Sequence, residues 1–271
     1  MAQARVLVLT GHGTNCERET AYTASQAGAD EVVIAHFADL IQEKQRLSDF
    51  NFLVFPGGFL DGDHLGGAQA AAVRYTYTTT ASGQSLLQGL KDLHANGGVI
   101  LGICNGFQLL AKLGFLPGLD STFERQVSLS FNNSARFEDR WVHLRINSDS
   151  PCIFSTGLER MYLPVRHGEG KIILSHESVL ETIQERNLIV MQYTDQEGRV
   201  TDTYPDNPNG SPLGIAGLSD PTGRIFGLMP HPEAYNHPTT HPAWTRGRQD
   251  ILGTALFENA VTYLKSARPP A

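Results

Sequence analysis

One cysteine stands between two glycines in Gly102-Ile103-Cys104-Asn105-Gly106-Phe107-Gln108, after the apolar run 98–101 and before another over 107–111. Glycines at two-residue spacing between a strand-like and a helix-like segment describe a sharp turn that lifts one side chain out of a sheet for reaction. They permit φ > 0 and close backbone approach. Cys104 is the candidate nucleophile. A free thiol, with a pKa of about 8.5, is only a few per cent ionised near neutrality, so it needs a base. His231, in Met229-Pro230-His231-Pro232-Glu233, is the best candidate. Pro232 biases His231 towards extended backbone. Residues two apart in an extended chain share a side, so Glu233 is expected to hold the ring. A tetrahedral oxyanion also needs donors. The Asn105 amide, opening a helix just after the nucleophile, offers one, and Gly58 in Pro56-Gly57-Gly58-Phe59 offers another.

Elements that would position these groups follow a βαβ rhythm. Apolar runs predict strands over 6–9, 32–35, 52–55 and 225–229, with helices over 17–28, 37–47, 67–77 and 85–95 between them or on their flanks. The runs do not alternate, as expected of strands buried on both faces of a parallel sheet. Residues 122–146 alternate, which suits antiparallel strands with one wet face. Residues 205–212 read as a turn-rich loop, 251–264 as a closing helix and 267–271 as a frayed tail. The expectation is one α/β domain over 1–271: a mostly parallel open sheet flanked by helices, with a cysteine elbow and some antiparallel strands in the C-terminal half. The candidate groups all follow strands, at the carboxyl ends where open α/β sheets place their sites.

Composition narrows the field. The 271 residues are 41% hydrophobic and 18% charged, with a net charge of −7. No Lys/Arg cluster is present, so a nucleic-acid partner is not expected. No apolar run approaches the roughly 20 residues needed to span a bilayer, and residues 1–10 do not read as a signal peptide. Three widely spaced cysteines, Cys16, Cys104 and Cys152, suit reduced thiols in the cytoplasm. Cys16 reads as structural because no base is implied beside it, and Cys152 as packing. His231, His237 and His241 each precede a proline, so no helix aligns them and no metal is expected. Gly11-His12-Gly13 falls short of a dinucleotide-binding loop.

The elbow and the His-Pro-Glu segment together resemble the class I, triad-type glutamine amidotransferases. Within them the likeness is to the glutaminase subunits of phosphoribosylformylglycinamidine synthase. It extends through Gly13-Thr14-Asn15-Cys16-Glu17-Arg18-Glu19, Phe55–Phe59, His167-Gly168-Glu169-Gly170 and Asn207-Pro208-Asn209-Gly210-Ser211. The resemblance implies Cys104 as nucleophile, His231 as base, Glu233 as its orienter, Gly58 and Asn105 as backbone oxyanion donors, and Gln108 as a contact to bound L-glutamine. It implies no cofactor in this chain. ATP and Mg²⁺ would belong to a separate synthetase subunit that receives ammonia through a channel, and the likeness allows a small bridging subunit. Two features depart from it: Leu60–Gly66 replaces a Ser-Tyr-Gly-Asp-Tyr-Leu-Arg loop, and extra residues lie around 75–90. The competing readings are a stand-alone cysteine hydrolase or peptidase on a similar elbow fold, or a glutaminase subunit of another amidotransferase.

Overall fold

The computed structural model describes residues 3–120 and 122–266; the expected tail over 267–271 lies outside the described residues. The first half runs β1 (Arg5–Thr10), α1 (Glu17–Gln26), β2 (Glu31–His36), α2 (Phe37–Ile41), β3 (Phe52–Phe55), α3 (Gln69–Tyr77), α4 (Leu86–Ala95), β4 (Val99–Ile103) and α5 (Asn105–Lys112). The second runs β5 (Val127–Phe131), β6 (Glu138–Ile146), β7 (Arg160–His167), β8 (Glu169–Leu174), α6 (Glu177–Glu185), β9 (Ile189–Thr194), β10 (Ile215–Ser219), β11 (Ile225–Leu228) and α7 (Thr254–Ser266). The large sheet has the order β2-β1-β3-β4-β11-β10-β9-β6-β7, and β5 pairs with β8 in a small second sheet.

β1 pairs in parallel with β2 and β3, β3 with β4, and β4 with β11. Every residue of β3, β4 and β11 is buried, as expected when a parallel strand is covered on both faces. From β11 onwards the pairings are antiparallel. This half curls until β7 returns to the segment that follows β11. Val165 bridges Pro230, and the His231 amide donates to the Pro164 carbonyl at 2.8 Å. The loops after β1, β3, β4 and β11 therefore converge at one end of the sheet, and the curl adds the end of β7 to them.

The elbow glycines are set by close approach. A Cβ on Gly106 would lie 2.0 Å from the Phe55 carbonyl oxygen, and one on Gly102 would lie 2.6 Å from the Gly106 oxygen. Any side chain at either position would push α5 off the sheet. Cys104 itself sits at φ 51° and ψ −102°, a strained conformation that its neighbours hold in place.

Several expected elements differ in extent. The helix foreseen over 37–47 is only α2: Glu43 turns left-handed at φ 54°, and the Ile41 carbonyl accepts from the Ala81 amide. That amide belongs to the extra segment, whose Thr80 and Ser82 hydroxyls also bond the Glu43 carboxylate. Together they wall a cavity of about 530 Å³ near the amino ends of β3 and β4, away from the elbow. The replaced loop after Gly58 is anchored too. The Leu60 amide donates to the Asn105 side chain at 2.9 Å, and Asp61 pairs with Arg74.

Candidate active site

The turn after β4 carries Cys104, whose amide donates to the Leu228 carbonyl at 2.8 Å and so fixes the elbow to β11. Three residues beyond β11, His231 is 2% exposed, and its Nδ1 lies 2.6 Å from Oε1 of Glu233, itself fully buried. The extended chain foreseen through Glu233 is not formed. Pro232–Ala234 make a 3₁₀ turn instead, closed by the Tyr235 amide on the Pro232 carbonyl. Proline suits the first position of such a turn because it has no amide hydrogen to lose. The carboxylate reaches the ring by curling back under it.

Cys104 and His231 line one cavity of about 200 Å³, together with Cys16, Gly58, Glu19 and Arg166. The Cys104 thiol donates to the Arg166 carbonyl at 3.6 Å. Nε2 of His231 is buried with no hydrogen-bond partner among the described residues. Burial alone would push the His231 pKa down. The Glu233 carboxylate and the Cys104 and Cys16 sulfurs together outweigh it and hold the imidazolium pKa well above its usual value. The amides of Gly58, at φ 145°, and of Asn105 have no acceptor among the described residues. Gly58 lines the cavity with Cys104, and Asn105 follows the cysteine as the first residue of α5.

The structure places Gln108 on α5 beside the elbow, bonded to Asn105. It is buried but does not line the cavity. Its oxygen accepts from Asn105 at 2.8 Å and its nitrogen donates to the Glu169 carbonyl at 2.6 Å. Both ends are committed, so Gln108 braces α5 against β8.

Cys16 is the residue that sequence reasoning placed least well. A base does lie beside it: ligand atoms of Cys16, His231 and Glu233 all fall within 4.8 Å of one another. A thiophilic cation could bridge such a trio, although the carboxylate is already committed to the imidazole. Burial pushes the Cys16 thiol up, with His231 opposing. Its signal in the sequence is its place in the 13–19 motif. Cys152 is fully buried and its pKa is pushed up to about 12, as expected of an inert packing thiol.

The two remaining motifs pack on each other behind the site. His167 Nδ1 lies 3.1 Å from the Asn132 side-chain oxygen, which also accepts from the Gly170 amide. Ser211 Oγ accepts from the Ile172 amide, and Asn209 bonds the Tyr193 hydroxyl. Burial, with the nearby His231 charge, pushes the His167 pKa down to about 3. An unfolded chain would bind a proton at about pH 6.5 that the folded chain refuses, so stability falls as pH drops from there towards 3. His167→Gln should flatten this acid slope by up to roughly 1.4 kcal/mol per pH unit. Urea midpoints of the two proteins across that range are the check, and parallel slopes would exonerate His167.

The nucleophile elbow, the buried His–Glu pair and the curled α/β sheet define a glutamine amidotransferase. The chain belongs to the CobB/CobQ-like glutamine amidotransferase domain family, whose pattern matches residues 3–264. Within that family it is 40% identical over 267 residues to phosphoribosylformylglycinamidine synthase subunit PurQ of Dehalococcoides mccartyi, covering 98% of this chain and 99% of that protein. The subunit of the same name from Methanococcus maripaludis is also 40% identical, over 96% of this chain and 98% of its own. A chain in the structure of PurLQS from Thermotoga maritima superposes with a TM-score of 0.69 at 25% identity, covering 97% of this chain and 99% of that one.

Proposed function

We propose that this chain is the glutaminase subunit of a phosphoribosylformylglycinamidine synthase acting in the cytoplasm. It hydrolyses L-glutamine to glutamate and passes the ammonia to an ATP-dependent synthetase subunit. That partner makes formylglycinamidine ribonucleotide in purine biosynthesis, and ATP and Mg²⁺ act there. The observation that carries the reading is Cys104 on a strained elbow, sharing a cavity with a buried His231–Glu233 pair.

Cys104 gives its proton to His231, and the sulfur attacks the carboxamide carbon, whose carbonyl electrons move onto oxygen. The amides of Gly58 and Asn105 hold that oxyanion. When the C–O double bond re-forms, the C–N bond breaks and His231 protonates the departing nitrogen, releasing ammonia and leaving a γ-glutamyl thioester. Water then gives a proton to His231 and attacks the thioester. Collapse expels the thiolate, which recovers the proton, and glutamate departs. Glu233 keeps the ring in the tautomer and orientation that both transfers need.

Glutamate release by this chain, measured alone and with the synthetase subunit and its substrates, tests the reading. Release should rise at least about tenfold in the mixture, because closure over the site excludes water and completes the geometry. Equal release in both conditions would favour a stand-alone hydrolase.

A further inference from the structure

Resting on this reading, we infer that Glu19 and Arg166 form a charge clamp for the two ends of an α-amino acid, Glu19 meeting the α-ammonium and Arg166 the α-carboxylate. Among the residues lining the Cys104 cavity, Glu19 is the one carboxylate and Arg166 the one guanidinium. They come from opposite halves of the chain, Glu19 from α1 and Arg166 from β7. Neither takes part in an ion pair among the described residues. Glu19 is half-buried and Arg166 exposed, so a carboxylate and a guanidinium without ion-pair partners border one small cavity, which matches a zwitterion.

The chemistry of the site fixes where the zwitterion must lie. With the carboxamide carbon at the Cys104 sulfur, three C–C bonds place the α-carbon only roughly 4 Å away. The charged groups then fall within the same cavity or at its rim, where they lose hydration and need counter-charges. The other ionisable groups nearby are unavailable. Glu233 holds His231, and one Glu169 carboxylate oxygen accepts from the Gly67 amide at 2.9 Å. The Arg166 carbonyl already accepts from Cys104, so its backbone is fixed beside the reacting sulfur. A guanidinium reaching from there can take a carboxylate in a bidentate pair. The clamp would select free glutamine over peptide-linked glutamine, whose neutral amide offers Glu19 no opposite charge, and it assigns Glu19 a task in the 13–19 motif.

The test uses the complex with the synthetase subunit and three amides. These are L-glutamine, glutaramate (which lacks the ammonium) and 4-aminobutanamide (which lacks the carboxylate). Glu19→Gln should lower kcat/KM for L-glutamine about 10- to 100-fold, chiefly through KM, but lower that for glutaramate by no more than about twofold. Arg166→Met should do the same for L-glutamine while sparing 4-aminobutanamide. Glu19→Asp and Arg166→Lys, which keep the charges, should recover part of the KM and guard against loss of fold. Equal losses on full and truncated amides, or an unshifted KM for L-glutamine, would overturn the clamp while wild-type turnover leaves the glutaminase reading standing. Absence of wild-type glutamine turnover would overturn both.

Discussion

Cys104→Ala should lower glutamate release from L-glutamine by about 10⁴- to 10⁶-fold, the scale on which a covalent nucleophile is lost. Without sulfur there is no thioester, and the oxyanion donors are left with only water to stabilise. The fold should survive. The residue is buried at the elbow, but only one heavy atom is removed, and the strained backbone is held by Gly102, Gly106 and the hydrogen bond from the Cys104 amide to the Leu228 carbonyl rather than by the thiol. Cys152→Ala is the matching control, since that thiol is walled off from water. The assay pairs glutamate release with mass spectrometry of the denatured protein, in which the γ-glutamyl adduct should appear on wild type and on Cys152→Ala only. Full release by Cys104→Ala would remove this sulfur from the mechanism and turn attention to Cys16.

Local chain chemistry explains which parts of this site the sequence reveals. The elbow is legible because Gly102 answers to contacts within one strand–turn–helix unit and Gly106 to Phe55 on the adjacent strand. The parallel strands are legible because two-face burial removes alternation. His231 and Glu233 are legible as a pair, yet the 3₁₀ turn that joins them is not, because extended and turned backbones can both bring the carboxylate to the ring. What stays hidden depends on the curl of the antiparallel half. Arg166 meets Cys104 across 62 positions, and His167 approaches His231 only because β7 folds back onto the segment after β11. β7 to β10 and α6 gave no clear signal of their own. Cys16 looks isolated in the sequence for the same reason, because its base arrives from a distant loop. Gln108 shows the converse: a motif position suggests a ligand contact, while packing commits its amide to Asn105 and Glu169.

Glu233→Gln should lower kcat/KM by about 10³- to 10⁴-fold and move its alkaline limb to lower pH. The sign follows from the balance at His231. Burial favours the neutral ring, and the Glu233 carboxylate leads the groups that overcome it. Removing that charge lets burial prevail, so the imidazolium that protonates departing ammonia is lost at a lower pH. Stability obeys the same sign. A histidine whose folded pKa is raised contributes stability fully present below its unfolded value of about 6.5, lost as pH rises through the folded value. In Glu233→Gln that contribution disappears, so the wild-type advantage from this pair should be greatest on the acid side and shrink as alkali is added. Rate profiles and urea midpoints between about pH 6 and 10 report the two effects separately. An alkaline limb that stays in place in the variant would show that the carboxylate does not set the proton affinity of His231, and the assignment of Glu233 as its orienter would fall with it.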